Sequence, residues 1–199
     1  MIIQEEIYTL PGKGEFEGKN RELKIRCATH DDAQMLIDYL KETCGETKFL
    51  VKEPEEIQLT LEQEYGFIDG NNNSEDSLLL LGFLDGEYVG NCSLMGKKTL
   101  RAKHRAGVGI AFKLKYTNQG IGKIMLGKLV EVAKEKGLEQ LELEVVADNA
   151  RAIHVYESLG FKITGTLIIP QSNLVAYLIS SSLQYASPKH TSSQPKILA

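Results

Sequence analysis

Residues 104–136 constrain the fold most. The segment HRAGVGIAFKLKY (104–116) reads as a strand, and soon after it Gly120 and Gly122 open a run with helical periodicity. Ile121, Ile124, Met125, Leu129, Val132 and Ala133 share one face of a helix over 121–136, Lys134 and Lys136 lie in its last turn, and Gly137 is a natural terminator. A strand that passes through a short glycine turn into an amphipathic helix packs that helix back onto a sheet, so the chain reads as a layered α/β protein.

The rest of the chain alternates in the same way. ELKIRCA (22–28) has strand periodicity, and Thr29 with Asp32 forms a capped start for a helix to about Glu42. PEEIQLTLEQEYGFI (54–68) reads as a second helix entered through proline, and DGNNNSEDS (69–77) as a loop. Two apolar runs flank Asp85-Gly86 within 78–96, a strong hairpin signal. Segments 138–146, 161–169 and 174–180 read as strands, and 148–160 as a short capped helix. This organisation suggests an extension over 1–21, one domain over 22–180 and a polar, mobile tail over 181–199.

Composition removes several classes. A net charge of −4 without a basic run argues against nucleic acid. No stretch approaches the roughly 18 apolar residues of a membrane span, and the N-terminus lacks a leader pattern, which suits a cytoplasmic protein. Cys27, Cys44 and Cys92 are dispersed, so neither a disulfide framework nor a metal site is expected.

The glycine turn invites a phosphate, because a helix N-terminus offers free N–H groups and the positive end of its dipole. Gly122 to Leu129 reads G-x-x-x-x-G-K-L, which lacks the hydroxyl that an ATP site uses for magnesium. A dinucleotide turn requires glycine where Met125 stands. The residues alone leave two readings: a pyrophosphate on the backbone, or glycines that only permit close packing.

YTNQGIGKIML (116–126) together with LEVVADNARAIHVYESLGF (143–161) resembles the GCN5-related N-acetyltransferases, and around Glu144 and Tyr156 most resembles the ribosomal-protein N-terminal acetyltransferases. The resemblance implies an α/β (α+β) fold with a central mixed, mostly antiparallel sheet of about seven strands and flanking helices. It implies acetyl-CoA as cosubstrate, with no metal, and an amine-bearing acceptor (a small molecule or a protein N-terminus); a homodimer stays open. Asn118, Gln119, Gly120, Ile121, Gly122 and Lys123 would wrap the pyrophosphate. Backbone groups of Ala111, Phe112 and Leu114 would pair with the pantetheine arm, and Asn149 would touch the cofactor. Glu144 matches the family's proton acceptor and Tyr156 its donor to the leaving thiolate. Thr117 departs from the family's Arg or Gln, and Gly107-Val108 stands where many relatives carry a glutamate.

Each assignment has a plain alternative: Glu144 a solvated strand end, Asn149 a helix cap, Tyr156 a packed aromatic. Glu53, Glu55, Glu56, Glu62 and Glu64 could attract a cationic amine or simply form a solvated face. A coenzyme A-binding module without catalysis is the second functional reading.

Overall fold

Eight strands form one sheet in the computed structural model, which describes residues 1–50, 52–169 and 174–183. In chain order the elements are β1 (Glu6–Pro11), β2 (Asn20–Cys27), α1 (Ala33–Glu46), α2 (Leu61–Asn72), β3 (Leu78–Leu84) and β4 (Glu87–Gly96). There follow β5 (Arg105–Phe112), α3 (Ile121–Glu135), β6 (Gln140–Val146), α4 (Ala150–Ser158), β7 (Lys162–Ile169) and β8 (Leu174–Ser182). The spatial order is β1-β2-β3-β4-β5-β6-β8-β7, antiparallel throughout except for the parallel pair β5–β6.

Helices cover both faces. Met125, Leu126 and Leu129 of α3 are fully buried against Leu23, Ile25, Leu78, Leu80 and Leu94. On the other face Leu79, Leu81 and Tyr88 pack with Tyr39 of α1 and Ile68 of α2. The unbroken Leu78–Leu81 run follows from this, since each successive side chain meets a covered face. Gly82 lets α3 approach, because a Cβ there would lie 2.5 Å from Met125 Sδ. The expected hairpin forms, with both Asp85 (φ 51°) and Gly86 (φ 86°) in the left-handed conformation of a type I′ turn.

Four boundaries differ from the sequence reading. Residues 6–11, read as an extension, pair with β2 as an edge strand, where Pro11 is tolerated. The sheet therefore has eight strands. The helix expected over 54–68 is split: Pro54–Glu56 makes one 3-10 turn, and α2 starts only after Thr60, whose hydroxyl accepts from the Gln63 N–H at 3.2 Å while Gln63 Oε1 accepts from the Thr60 N–H at 2.9 Å. This second capping box won over the proline signal, and α2 then runs to Asn72, through half of the expected loop. β5 stops at Phe112 and Leu114–Tyr116 forms a 3-10 turn. β8 continues to Ser182, with Leu183 buried; the remaining tail, 184–199, lies outside the described residues.

The start of α1 is tied down by charge. Arg26 donates to both oxygens of Asp32 at 2.7 Å, and the Thr29 N–H adds a third bond at 2.8 Å. Burial pushes the Asp32 carboxyl up, but Arg26 and Thr29 outweigh it and hold it below its usual value. A lowered folded-state pKa contributes stability above the unfolded value and loses it as pH falls through the folded one. Asp32→Ala should cost about 2 kcal/mol by denaturant unfolding near neutral pH, reduced from the full buried-pair value because Arg26 is partly exposed. The difference should shrink in acid.

Candidate active site

β5 and β6 are neighbours only at Arg105–Gly107 and Gln140–Glu142. Beyond that point β6 continues along β8 and β5 along β4, so a wedge opens between them. The Lys113 N–H donates to Val89 O at 2.9 Å, so the odd-numbered residues at this end of β5 turn their backbone groups toward β4. Val108, Ile110 and Phe112 turn theirs into the wedge. The Ala111 carbonyl, one of the expected pantetheine partners, faces β4 and accepts from the Tyr39 hydroxyl at 2.6 Å. The edge facing the wedge therefore belongs to Ile110 and Phe112. The Leu114 N–H is also engaged, by Glu46 at 2.7 Å.

At the mouth of the wedge the chain turns into α3. Asn118 (φ 62°) and Gly120 (φ 86°) are both left-handed, which reverses the chain tightly enough to present the helix end. The first helical bond is from the Ile124 N–H to Gly120 O, so the amides of Ile121, Gly122 and Lys123 precede the bonded ladder. Ile121 is buried at 1% exposure and offers only backbone, whereas Lys123 is exposed. A Cβ on Gly122 would meet the Phe112 ring at 3.3 Å. The loop is braced by residues that sequence reasoning missed. Arg21 reaches Gln119 Oε1 at 2.9 Å while ion-paired with Asp85 at 2.6 Å, and Lys13 reaches Asn118 O at 3.3 Å. Arg151 donates to Thr117 Oγ1 at 2.9 Å, which brings a guanidinium from α4 to the position where family members carry Arg or Gln. No local signal marks these pairs, which are separated by 34 residues or more in the chain.

Glu144 and Tyr156 lie on opposite faces of β6. Leu141, Leu143 and Val145 enter the α3-side core, so Glu144 projects from the other face, exposed and without a hydrogen-bond or ionic partner among the described residues. Tyr156 is only 6% exposed, 6.0 Å from the Phe161 ring, and desolvation raises its phenol to about 12. Its hydroxyl has no partner among the described residues. Asn149 caps α4 by accepting from the Ala152 N–H at 3.2 Å, which leaves its NH₂ group available. Among the described residues no three His, Cys, Asp or Glu side chains gather as a metal site.

A parallel pair that parts beside a glycine-opened helix is the architecture of an acyl-CoA-dependent transferase, and the chain belongs to the acetyltransferase (GNAT) family, whose model matches residues 46–161. It is similar to the L-amino acid N-acetyltransferase AaaT of Escherichia coli K12, 32% identical over 88 residues, which are 44% of this chain and 54% of that protein. It is also similar to the [ribosomal protein bS18]-alanine N-acetyltransferase of the same organism, 46% identical over 52 residues, 26% of this chain and 35% of that one. The chain thus matches about half or less of the length of these relatives. An acetyltransferase of the GNAT family from Streptococcus pneumoniae superposes with a TM-score of 0.77 at 28% identity, over 81% of this chain and 99% of that one.

Proposed function

We propose that the protein is an N-acetyltransferase that moves the acetyl group of acetyl-CoA to a primary amine by direct transfer in a ternary complex. The observation that carries this is the wedge between β5 and β6, with the α3 N-terminus at its mouth. The fit is good in both parts. The edge at Ile110 and Phe112, unpaired among the described residues, suits an amide-bearing arm, and the three amides ahead of the helical ladder with Arg151 nearby suit a pyrophosphate. Ala111 and Leu114 then shape the site without pairing to the arm. Bound there, acetyl-CoA supplies an activated acetyl thioester.

The protein's own residues manage charge and protons. Transfer forms an amide C–N bond and breaks the C–S bond; the acceptor ammonium gives up two protons in all, one before attack and one as the amide forms, and the departing sulfur takes up one. Glu144, exposed and uncompensated, collects the amine proton directly or through water. The backbone N–H at the β5 edge stabilises negative charge on the carbonyl oxygen. With a phenol at about 12, above the roughly 8.5 of a free thiol, Tyr156 would donate a hydrogen bond to a departing thiolate more readily than it would surrender its proton. We assign residues 22–180 to the acetyltransferase domain, with β1 as its added edge, and the protein to the cytoplasm. No helix among the described residues is long and apolar enough to cross a membrane.

Thiol release from acetyl-CoA against a panel of amines tests the reading. Binding without release for every amine would favour a coenzyme A-binding module. The Tyr156→Phe variant sharpens the test. Its hydrogen bond exists only as the thiolate forms, so kcat should fall clearly while acetyl-CoA affinity and Tm stay nearly unchanged. Full activity would make Tyr156 a packing residue.

A further inference from the structure

Arg21 of β2 is 9% exposed, and three neighbours fix its guanidinium. Nε donates to Asp85 Oδ2 at 2.6 Å, Nη1 donates to Gln119 Oε1 at 2.9 Å, and Cζ lies 4.1 Å from the centre of the Phe16 ring. Asp85 is held in turn, because its Oδ1 accepts from the Glu22 N–H at 2.8 Å. The ion pair with Asp85 offsets the desolvation of a buried cation and would do so without Gln119. The second bond therefore needs its own reason.

Gln119 sits between Asn118 and Gly120, the two left-handed residues of the turn that opens α3. A non-glycine residue at φ 62° occupies a sparsely populated conformation, which persists where the surroundings hold it. The Gln119 side chain supplies that hold from both ends of its amide: Oε1 accepts from Arg21, and Nε2 donates to Lys115 O at 3.2 Å. Leu10 of β1 lies against the next residue, with Cδ2 3.9 Å from the place of a Cβ on Gly120. Residues 10 and 21 both precede the segment 46–161 that the family model matches. The turn is thus steadied by an edge hairpin outside that segment.

We propose that Arg21 is a positioning residue for acetyl-CoA: through Gln119 it holds the pyrophosphate turn in its binding form, so that the cofactor need not order it. The inference rests on the acetyltransferase reading and adds a residue that acts on the cofactor through another. Gln119 is then a strut, with its side chain toward Arg21 and only its backbone offered to the pyrophosphate. The charge of Arg21 is balanced by Asp85, so it works by geometry. Its contribution should be insensitive to salt, unlike that of a cation that meets a phosphate directly.

The test measures the acetyl-CoA dissociation constant by calorimetry, kcat at saturating acetyl-CoA, and hydrogen exchange of the free protein. Arg21→Met and Gln119→Met should each raise the dissociation constant by about tenfold, as expected for one lost charged hydrogen bond, and by the same factor at low and high salt. In both variants kcat should change by less than about twofold. The double variant should lose no more affinity than either single one, because both cut the same link. In free Arg21→Met the bonded amides of Thr117 and Ile124, on either side of the turn, should exchange faster than in the wild type. A merely structural arginine would lower Tm and leave the affinity of the folded protein unaltered. Wild-type affinity in either single variant, additive losses, or a loss that fades in high salt would each overturn the proposal, the last by making Arg21 a direct phosphate contact. Should Arg21→Met not fold, Arg21→Lys serves with the same expectations, since it keeps a cation for Asp85 but lacks the fork that also reaches Gln119. A wild type that binds no acetyl-CoA would overturn the acetyltransferase reading and leave the exchange to decide: faster exchange in the variant upholds Arg21 as the brace of the turn, and unchanged exchange overturns it.

Discussion

Glu144→Gln should lower the rate of acetyl transfer by a factor of about 10² to 10⁴ at neutral pH, the span over which a positioned general base usually acts. An alkyl ammonium has a pKa of about 10, so at pH 7 nearly every acceptor arrives protonated and must lose its proton. Glutamine preserves size and polarity but cannot take that proton. Glu144 is exposed and bonded to no described residue, so the substitution should leave the fold intact and Tm nearly unchanged. The defect should shrink as pH approaches the amine's own pKa, because free amine then needs no base. A loss of equal size at every pH would assign Glu144 to acceptor binding, and an unimpaired variant would pass the role to water or another group.

Gly122→Glu should abolish acetyl-CoA binding at concentrations that saturate the wild type. Two effects act together. A Cβ at position 122 approaches the Phe112 ring to 3.3 Å, at the β5 edge that faces the wedge, and the new carboxylate stands where the pyrophosphate would meet free amides. Thermal shift reads the result: at 100 times the dissociation constant the cofactor should stabilise the wild type by about 2.7 kcal/mol and the variant not at all. Gly127→Ala is the matched control in the same helix. Its Cβ would find nothing nearer than Leu159 Cδ2 at 4.0 Å, and alanine in a helix interior should add about 0.5–1 kcal/mol of stability without altering binding. Equal cofactor binding by Gly122→Glu and wild type would remove the α3 N-terminus from the site.

What was legible in the sequence was local. The type I′ turn at Asp85-Gly86 is set by two adjacent residues, and the amphipathic stripe of α3 by spacing alone. The glycine-opened helix and the glutamate and tyrosine after it were likewise carried by short motifs. What escaped depends on distant partners. Residues 6–11 show no sign of being a strand until β2 supplies the ladder. The orientation of Ala111 is decided by register with β4 and by a tyrosine 72 residues earlier in the chain. Likewise Arg151 is an ordinary helix residue until the fold sets it beside Thr117. Glu64 lies between: its spacing to Ile68 and Asn71 marks an inward face, but only once the helix is known to start after Thr60.

The way β5 and β6 part also bears on solubility. Unpaired strand groups on an open edge are templates for another molecule's strand, and runaway sheet growth starts from them. Here the unpaired stretch lies inside the sheet, between strands that diverge from a closed end at Gly107 and Glu142. A foreign strand inserted there needs its two neighbours held a uniform two strand spacings apart, about 9.6 Å, along several residues, and a tapering gap never provides it. A thin, unbranched arm needs no such uniformity. The taper thus keeps reactive backbone groups exposed to a small ligand while denying them to a neighbouring chain.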